Sequence, residues 1–285
     1  MPIKISSLLK SGLKPDPVDE RDFSFSTYVP PEEVAIKIAT ALPSSVDYTA
    51  EMSPVKYQNG FGSCTAFAVA ALKEWQERKE DVEEVKEGKD YKRKTDFYNF
   101  SEQWIYWNCK KIDAWPTSEG TDIRSAFKVL NKIGVPTEEG WPYVPSGTNI
   151  GEPKKWANLI ARWSVIGSYW RLNDLDEVKM ALVESPIVIG IPLFEDFYRM
   201  PNKTGILPMP KKNAPVLGWH AVTLVGFADD IQCVKLRNSW SIFWSNRGYC
   251  NLPYDYINEY MGDAWTAKDI KVTRDMLKGT RSLIE

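Results

Sequence analysis

The sequence predicts an α+β protein in two lobes, a helical lobe followed by a β-rich one. Three helical patterns and then a change of period carry that prediction. Ala68, Val69, Ala71, Leu72 and Trp75 recur at helical spacing. Ser101 reads as an N-cap before Trp104, Ile105 and Trp107, and Thr121-Asp122 opens a third pattern (Ala126, Phe127, Val129, Leu130, Ile133) that Gly134 stops. From Trp163 onward the period shortens. β-rich runs at 165–170, 187–191, 221–227, 231–237 and 248–252 are separated by Gly, Pro, Asn and Asp, with one helix expected over 174–184. The expected organisation is an N-terminal arm (1–43), a helical lobe (44–160) and a β-barrel-like lobe (161–285).

Bulk properties agree with a globular chain. Its 285 residues suffice for a sizeable core, and 43% hydrophobic with 26% charged residues is ordinary for a soluble domain. A net charge of −2 gives no field suited to nucleic acid or an anionic membrane. No signal-like opening and no apolar run approaching ~18 residues is present, so no membrane partner is expected. Internal repeats and glycine-rich phosphate loops are absent as well.

Residues 1–43 are rich in proline and mixed in charge: Lys14-Pro15-Asp16-Pro17, then Asp19-Glu20-Arg21-Asp22, then Tyr28-Val29-Pro30-Pro31. An extended arm without its own core is expected, with a weak amphipathic turn over 32–41. Such an arm either hugs the surface or lies as an inhibitory segment in a cleft. The dense charges of 77–96 predict a solvated helix end and loop.

Four cysteines (Cys64, Cys109, Cys233, Cys250) are too few and too scattered for a disulfide framework, and fit a reducing compartment such as a cytosol. Cys233 and Cys250 flank one expected hairpin; a reduced pair is the reading, with a facing pair as the alternative. The chain has one histidine, which excludes metal sites built on two or more imidazoles and leaves His220 as the sole imidazole base. No metal and no cofactor is expected.

The chemistry gathers at Gln58-Asn59-Gly60-Phe61-Gly62-Ser63-Cys64-Thr65-Ala66-Phe67. A glycine-broken turn runs into Cys64, which falls in the first turn of the first helix. Unpaired N–H groups and the positive end of the dipole favour a thiolate there. Far along the chain stand His220-Ala221-Val222 and Asn238-Ser239-Trp240. Cysteine, histidine and asparagine in that order are the parts of a thiol-nucleophile triad.

These motifs resemble the papain-like cysteine peptidases. Gln58 and Cys64 keep the family's spacing; His220-Ala221-Val222 with Val225-Gly226-Phe227 is similar to its histidine box. Asn238-Ser239-Trp240-Ser241 with Trp244 and Gly248-Tyr249 is similar to its asparagine box, and Phe100-Ser101-Glu102-Gln103 to its Leu-Ser-Glu-Gln helix start. The resemblance runs from about Leu42 to Ile257, and the Gly-Ser-Cys-Thr-Ala turn is similar to the bacterial and viral branch, which leaves a virion as an alternative location. Departures are Phe61 in place of a disulfide cysteine, Thr65 in place of an aromatic, and Ser241 in place of a glycine. The gaps from Cys64 to His220 and Asn238 exceed the common ~130–150 residues, which implies insertions.

The resemblance implies a papain-like two-lobe fold with the active site in the cleft, and hydrolysis of peptide or protein substrates through a Cys64 thioester. His220 would be acid and base, Asn238 would orient its ring, and Gln58 with the Cys64 N–H would hold the oxyanion. Trp240 would shield the Asn–His bond, and Gly120 would let a substrate backbone approach. With one histidine, the loop-borne histidine of dipeptide-releasing relatives has no counterpart, so an open, endopeptidase-type groove is expected, with a latent form under the arm as an option the arm leaves open. The alternatives are a Cys–His amidase or acyl-transferring enzyme, and a catalytically inactive papain-fold binding protein.

Overall fold

The computed structural model describes residues 11–17, 19–29, 42–86, 97–145, 151–199 and 205–270. The turn expected over 32–41 and the charged stretch 87–96 lie outside these residues.

In chain order the elements are helix α1 (Phe25–Tyr28), strand β1 (Ser45–Asp47), and helices α2 (Cys64–Lys86), α3 (Glu102–Cys109), α4 (Ile123–Lys132) and α5 (Ala157–Ala161). Then follow β2 (Ile166–Leu172), α6 (Leu175–Glu184), β3 (Ile187–Leu193), α7 (Glu195–Tyr198), β4 (Gly218–Ala228), β5 (Cys233–Arg237), β6 (Tyr249–Pro253), α8 (Tyr254–Tyr260) and β7 (Ala264–Asp269).

Helix α2 is buried on all sides from Cys64 to Gln76, the pattern of a helix enclosed between two layers rather than lying on a surface. Its buried charges are paired: Glu74 takes Lys56 at 2.7 Å and the Phe100 N–H at 2.9 Å, and Lys73 meets Glu77 at 2.9 Å as well as Asp269. Removing one member would strand the other in the interior, at a cost of about 3–5 kcal/mol. The N-caps fall where the sequence puts them. Ser101 accepts from the Trp104 N–H, Asp122 from Ser125 and Asp174 from Glu177.

The strands form one antiparallel sheet in the order β2-β7-β3-β4-β5-β6, with β1 pairing to the far end of β4. Thus a strand from residues 45–47, ahead of the helices, is laid into the β-rich lobe. Sheet register sets Ala221 opposite Gly190 and His220 opposite Ile191. Two cores result. Ile189, Val222, Leu224, Leu236, Trp244 and Tyr256 fill the sheet lobe, and Phe100, Trp104, Ile105, Phe127 and Leu130 fill the helical lobe. Trp265 of β7 reaches into the second core and ties the lobes together. The expected α+β, two-lobe architecture is the one observed.

Strand β7 and helix α8 carried no signal in the sequence. β7 is buried over Ala264–Ala267 without alternation, so the period-two signal is missing. The hairpin cysteines do not face each other. Register places Cys250 opposite Leu236 and Cys233 opposite Pro253, on opposite faces of the β5–β6 pair, and all four cysteines are free thiols.

The arm is ordered in two described pieces. Residues 19–29 dock on the sheet lobe: Phe25 and Val29 join its core, and the Arg171 N–H donates to the Phe23 carbonyl at 2.8 Å. Residues 11–17 follow the seam between the lobes.

Candidate active site

Cys64 is the first residue of α2 and is fully buried. The polar turn before it is fixed by its own backbone: Ser63 N–H donates to Phe61 O at 2.8 Å, and Asn59 and Gly60 take positive φ. Strand β4 runs alongside the helix start, and the Ala221 N–H donates to Cys64 Sγ at 3.5 Å. The bond from Thr223 Oγ1 to Ala68 O, 3.0 Å, repeats this helix-to-strand contact one turn on. Residues 157 positions apart in sequence are therefore neighbours.

His220, next to Ala221, is also fully buried, and its Nε2 lies 2.8 Å from Asn238 Oδ1. A side-chain carbonyl oxygen can only accept, so Nε2 carries the proton and Nδ1 carries the lone pair. Nδ1 is buried and has no hydrogen-bond partner among the described residues. Asn238 is held in turn, its Oδ1 accepting from Ser239 N and its own N–H donating to Gly248 O. The Trp240 ring lies 4.8 Å from the imidazole at 37°, with Tyr198 stacked on it at 5.4 Å. Phe197 presents an edge to both His220 and Trp240. The Asn–His bond is thus enclosed by aromatic rings, where it is not exchanged for water.

Gln58 is fully buried beside this group: its Oε1 accepts from Ser239 Oγ at 2.6 Å and its Nε2 donates to Phe61 O at 2.7 Å. The turn bearing Gln58 is thereby tied to the segment bearing Asn238. Tyr143 pins the same turn, donating to Gln58 O at 2.9 Å and meeting Ser63 Oγ at 2.6 Å. Nothing in the sequence marked Tyr143, because it reaches the turn only through tertiary packing.

The departures each have a local account. Phe61 packs edge-on against Tyr106 at 5.1 Å, replacing a covalent link with an aromatic contact. Thr65 is buried and donates from Oγ1 to Thr121 O at 3.2 Å, so the place of an aromatic is taken by a hydrogen bond. Ser241 takes φ 74°, the left-handed backbone that suits glycine, and its Oγ accepts the Phe243 N–H at 3.2 Å.

Residues 11–14 lie across the thiol. The Gly12 N–H lies close enough to Cys64 to favour its thiolate form. Leu13 N donates to Trp219 O at 3.1 Å, while Thr121 N donates to Gly12 O at 3.0 Å and Lys14 N to Thr121 O at 3.1 Å. The arm therefore pairs with both walls of the cleft. Leu13 is buried, and its Cδ2 fills the space a side chain on Gly190 would need. Gly120, at φ 94°, lies so close to the arm that a Cβ there would come within 2.2 Å of Gly12 O. The backbone that approaches this glycine is the protein's own.

Under this cover the electrostatics run opposite to the expectation from the helix start. Burial pushes the Cys64 thiol up, outweighing the N–H groups of Ala221 and Gly12 that pull it down. Burial also pushes His220 down to about 4, against the opposing pull of the Asn238 bond. Both groups are neutral, because desolvation of a charge outweighs a few dipoles when the arm excludes water. The thiolate expected from the helix start is not the resting form of this state.

Such an arrangement, a cysteine at the start of an enclosed helix, a histidine on the adjoining strand β4 and an asparagine just after β5, defines a thiol hydrolase of the two-lobed kind. The family profile described as papain family cysteine protease matches residues 42–261. An uncharacterised peptidase C1-like protein of Acanthamoeba polyphaga mimivirus is 30% identical over 227 residues, covering 75% of this chain and 69% of its own. Cysteine proteinase 3 of Entamoeba histolytica is 28% identical over 240 residues, covering 81% and 70%. The crystal structure of xylellain, a cysteine protease from Xylella fastidiosa, superposes with a TM-score of 0.75 at 30% identity, covering 93% of this chain and 98% of that one. The chain belongs to the papain family of cysteine proteases and is a cysteine peptidase.

Proposed function

We propose that the chain is an endopeptidase that cleaves through a Cys64 thioester and is held latent by residues 11–17. The supporting observation is the unpartnered Nδ1 of His220, next to the residue whose N–H touches Cys64 Sγ. Nδ1 is the one lone pair on the chain's only imidazole, and Asn238 fixes its direction. Once water or substrate replaces the arm, the thiol proton passes to Nδ1 and the sulfur attacks a peptide carbonyl carbon. The Cys64 N–H and the Gln58 side-chain amide stabilise the oxygen that becomes anionic. The imidazolium returns its proton to the leaving amine, and a water activated by the same nitrogen hydrolyses the thioester.

Latency is supported by how the arm is held. The Gly12 carbonyl oxygen is engaged by the Thr121 N–H at 3.0 Å, on the helical wall of the cleft. The arm is thus held in the cleft by backbone bonds to both of its walls.

The test is labelling with a thiol-directed epoxide and hydrolysis of an unfolded protein. Expected results are one adduct on Cys64, loss of both reactions in Cys64→Ala, and loss of labelling in His220→Ala. Transfer to an added amine at the expense of hydrolysis would favour an acyl-transferring enzyme instead. Absence of both labelling and turnover, even with the arm displaced, would leave a binding protein.

A further inference from the structure

The arm that crosses Cys64 ends with its Asp16 carboxyl in a seat made of donors. From β7, Trp265 Nε1 donates to Oδ2 at 3.0 Å, and the Arg124 N–H reaches Oδ1 at 3.4 Å and Oδ2 at 3.3 Å. Arg124 Nη1 stands 3.8 Å from Oδ1. The Asp16 side chain has no exposed surface, and Trp265 is fully buried. Arg124 is the second residue of α4, so its N–H has no partner within the helix and lies at the positive end of the dipole. Asp122, the N-cap, serves Ser125 instead, through N at 2.6 Å and Oγ at 2.8 Å. The seat thus joins a helix end of one lobe to a buried indole N–H of the other.

The neighbouring acid is engaged with other groups. Asp263 takes Arg171 Nη2 at 2.8 Å and, through Oδ2, the Asp16 backbone N–H at 2.6 Å. Burial and the nearby Asp263 and Asp122 carboxyls push the Asp16 acid up, while Arg124 pulls it down. An asparagine in the same place is the direct comparison, because it has the shape without the charge.

The seat adjoins the wall that the arm follows. Thr121, just ahead of α4, pairs with the arm on both sides: its N–H donates to Gly12 O at 3.0 Å, and its carbonyl accepts the Lys14 N–H at 3.1 Å. These are backbone bonds, which a peptide of any sequence supplies. At the seat, by contrast, polar groups meet a side chain. From Gly12, beside the sulfur, to Asp16 is at most about 14 Å of extended chain. A peptide laid along Thr121 as the arm is laid therefore reaches the seat with a side chain about four positions from the sulfur.

We propose that this seat is a carboxylate subsite of the cleft: Asp16 fills it while the arm is docked, and an aspartate side chain of a peptide substrate fills it once the arm has left. This rests on the peptidase reading above and adds a substrate class, peptides with an aspartate about four residues from the bond that is cut. With the arm away, Trp265 Nε1 and the Arg124 N–H lose their acceptor, and a substrate carboxylate restores it. Hydrogen bonds to an ionised acceptor are roughly twice as strong as neutral ones, so aspartate is favoured over asparagine.

The experiment uses the full chain carrying Asp16→Ala, which vacates the seat, at pH 7. Alkylation of Cys64 by iodoacetamide, located by mass, is followed with two added peptides. One copies residues 11–17, Ser-Gly-Leu-Lys-Pro-Asp-Pro, and its twin has asparagine for the aspartate. The aspartate peptide should protect Cys64 at a concentration about tenfold below that of the twin. Equal protection by both, or none by either, overturns the subsite. Trp265→Phe, added to Asp16→Ala, keeps a ring and removes one donor, so the gap between the peptides should narrow; an unchanged gap also overturns it. A second readout needs no change in the core. Unfolded proteins are digested with the Asp16→Ala chain, and aspartate should be enriched about threefold at one position some four residues from the cuts. Cutting with no such enrichment overturns the substrate class and leaves the peptidase reading intact. If nothing is cut while the aspartate peptide still protects Cys64, it is the peptidase reading that falls.

Discussion

His220 gives its Nε2 proton to Asn238 across 2.8 Å, and that bond decides which ring nitrogen is free to act as base. The sulfur and the imidazole come from different lobes, but the direction of the imidazole is set wholly within the sheet lobe. β4 carries the ring, the segment after β5 carries the amide, and Trp240 covers both.

Replacing that amide should therefore impair turnover more than folding. Asn238→Ala is expected to lower kcat/KM by about 10²-fold, the lower end of what a positioned acid–base contributes. Far-ultraviolet circular dichroism and the melting temperature should change little. Peptidase activity within threefold of the parent would show that the ring is oriented by packing alone.

Stability should fall in acid because His220 is buried neutral. With its folded-state value lowered to about 4 from an ordinary ~6.5, the unfolded chain takes up a proton first as pH drops. This contribution is present above about 6.5 and is lost as pH falls to about 4, amounting to roughly 3 kcal/mol across the window. Urea denaturation at pH 7.5 and 4.5 measures it. His220→Gln, which cannot ionise, should lose distinctly less stability over the same interval. Equal losses would place the acid sensitivity elsewhere.

Gly120 combines a left-handed backbone with the approach of Gly12 O. Gly120→Ala should cost about 1–2 kcal/mol from φ alone. It should also push the arm away, so the expected variant melts lower yet is alkylated faster at Cys64. A lower melting temperature with unchanged alkylation would mean that the arm accommodates the added methyl in place.

Reductant should leave the protein unaltered. All four cysteines are free, and Cys233 and Cys250 lie on opposite faces of their hairpin. Thiol titration in denaturant should find four sulfhydryls, and the melting temperature should be the same with and without dithiothreitol. Detection of two sulfhydryls would contradict the register.

The alternation of period along the chain, helical through Leu130 and extended after 163, determined the two-lobe α+β class without any structure, since periodicity follows directly from which face is buried. The turn around Cys64 and the boxes at His220 and Asn238 were legible for a different reason: each is a short run whose residue types, order and spacing resemble those of the papain-like peptidases. Tertiary structure alone decided the rest. That β1 enters the sheet from ahead of the helices, that Tyr143 braces the Gln58 turn, and that residues 11–14 lie over the sulfur are contacts between distant segments, which leave no periodic trace. The charge on Cys64 belongs to the same group. A helix start by itself argues for a thiolate, but solvent exclusion is a property of the assembled cleft, and burial there outweighs the dipole.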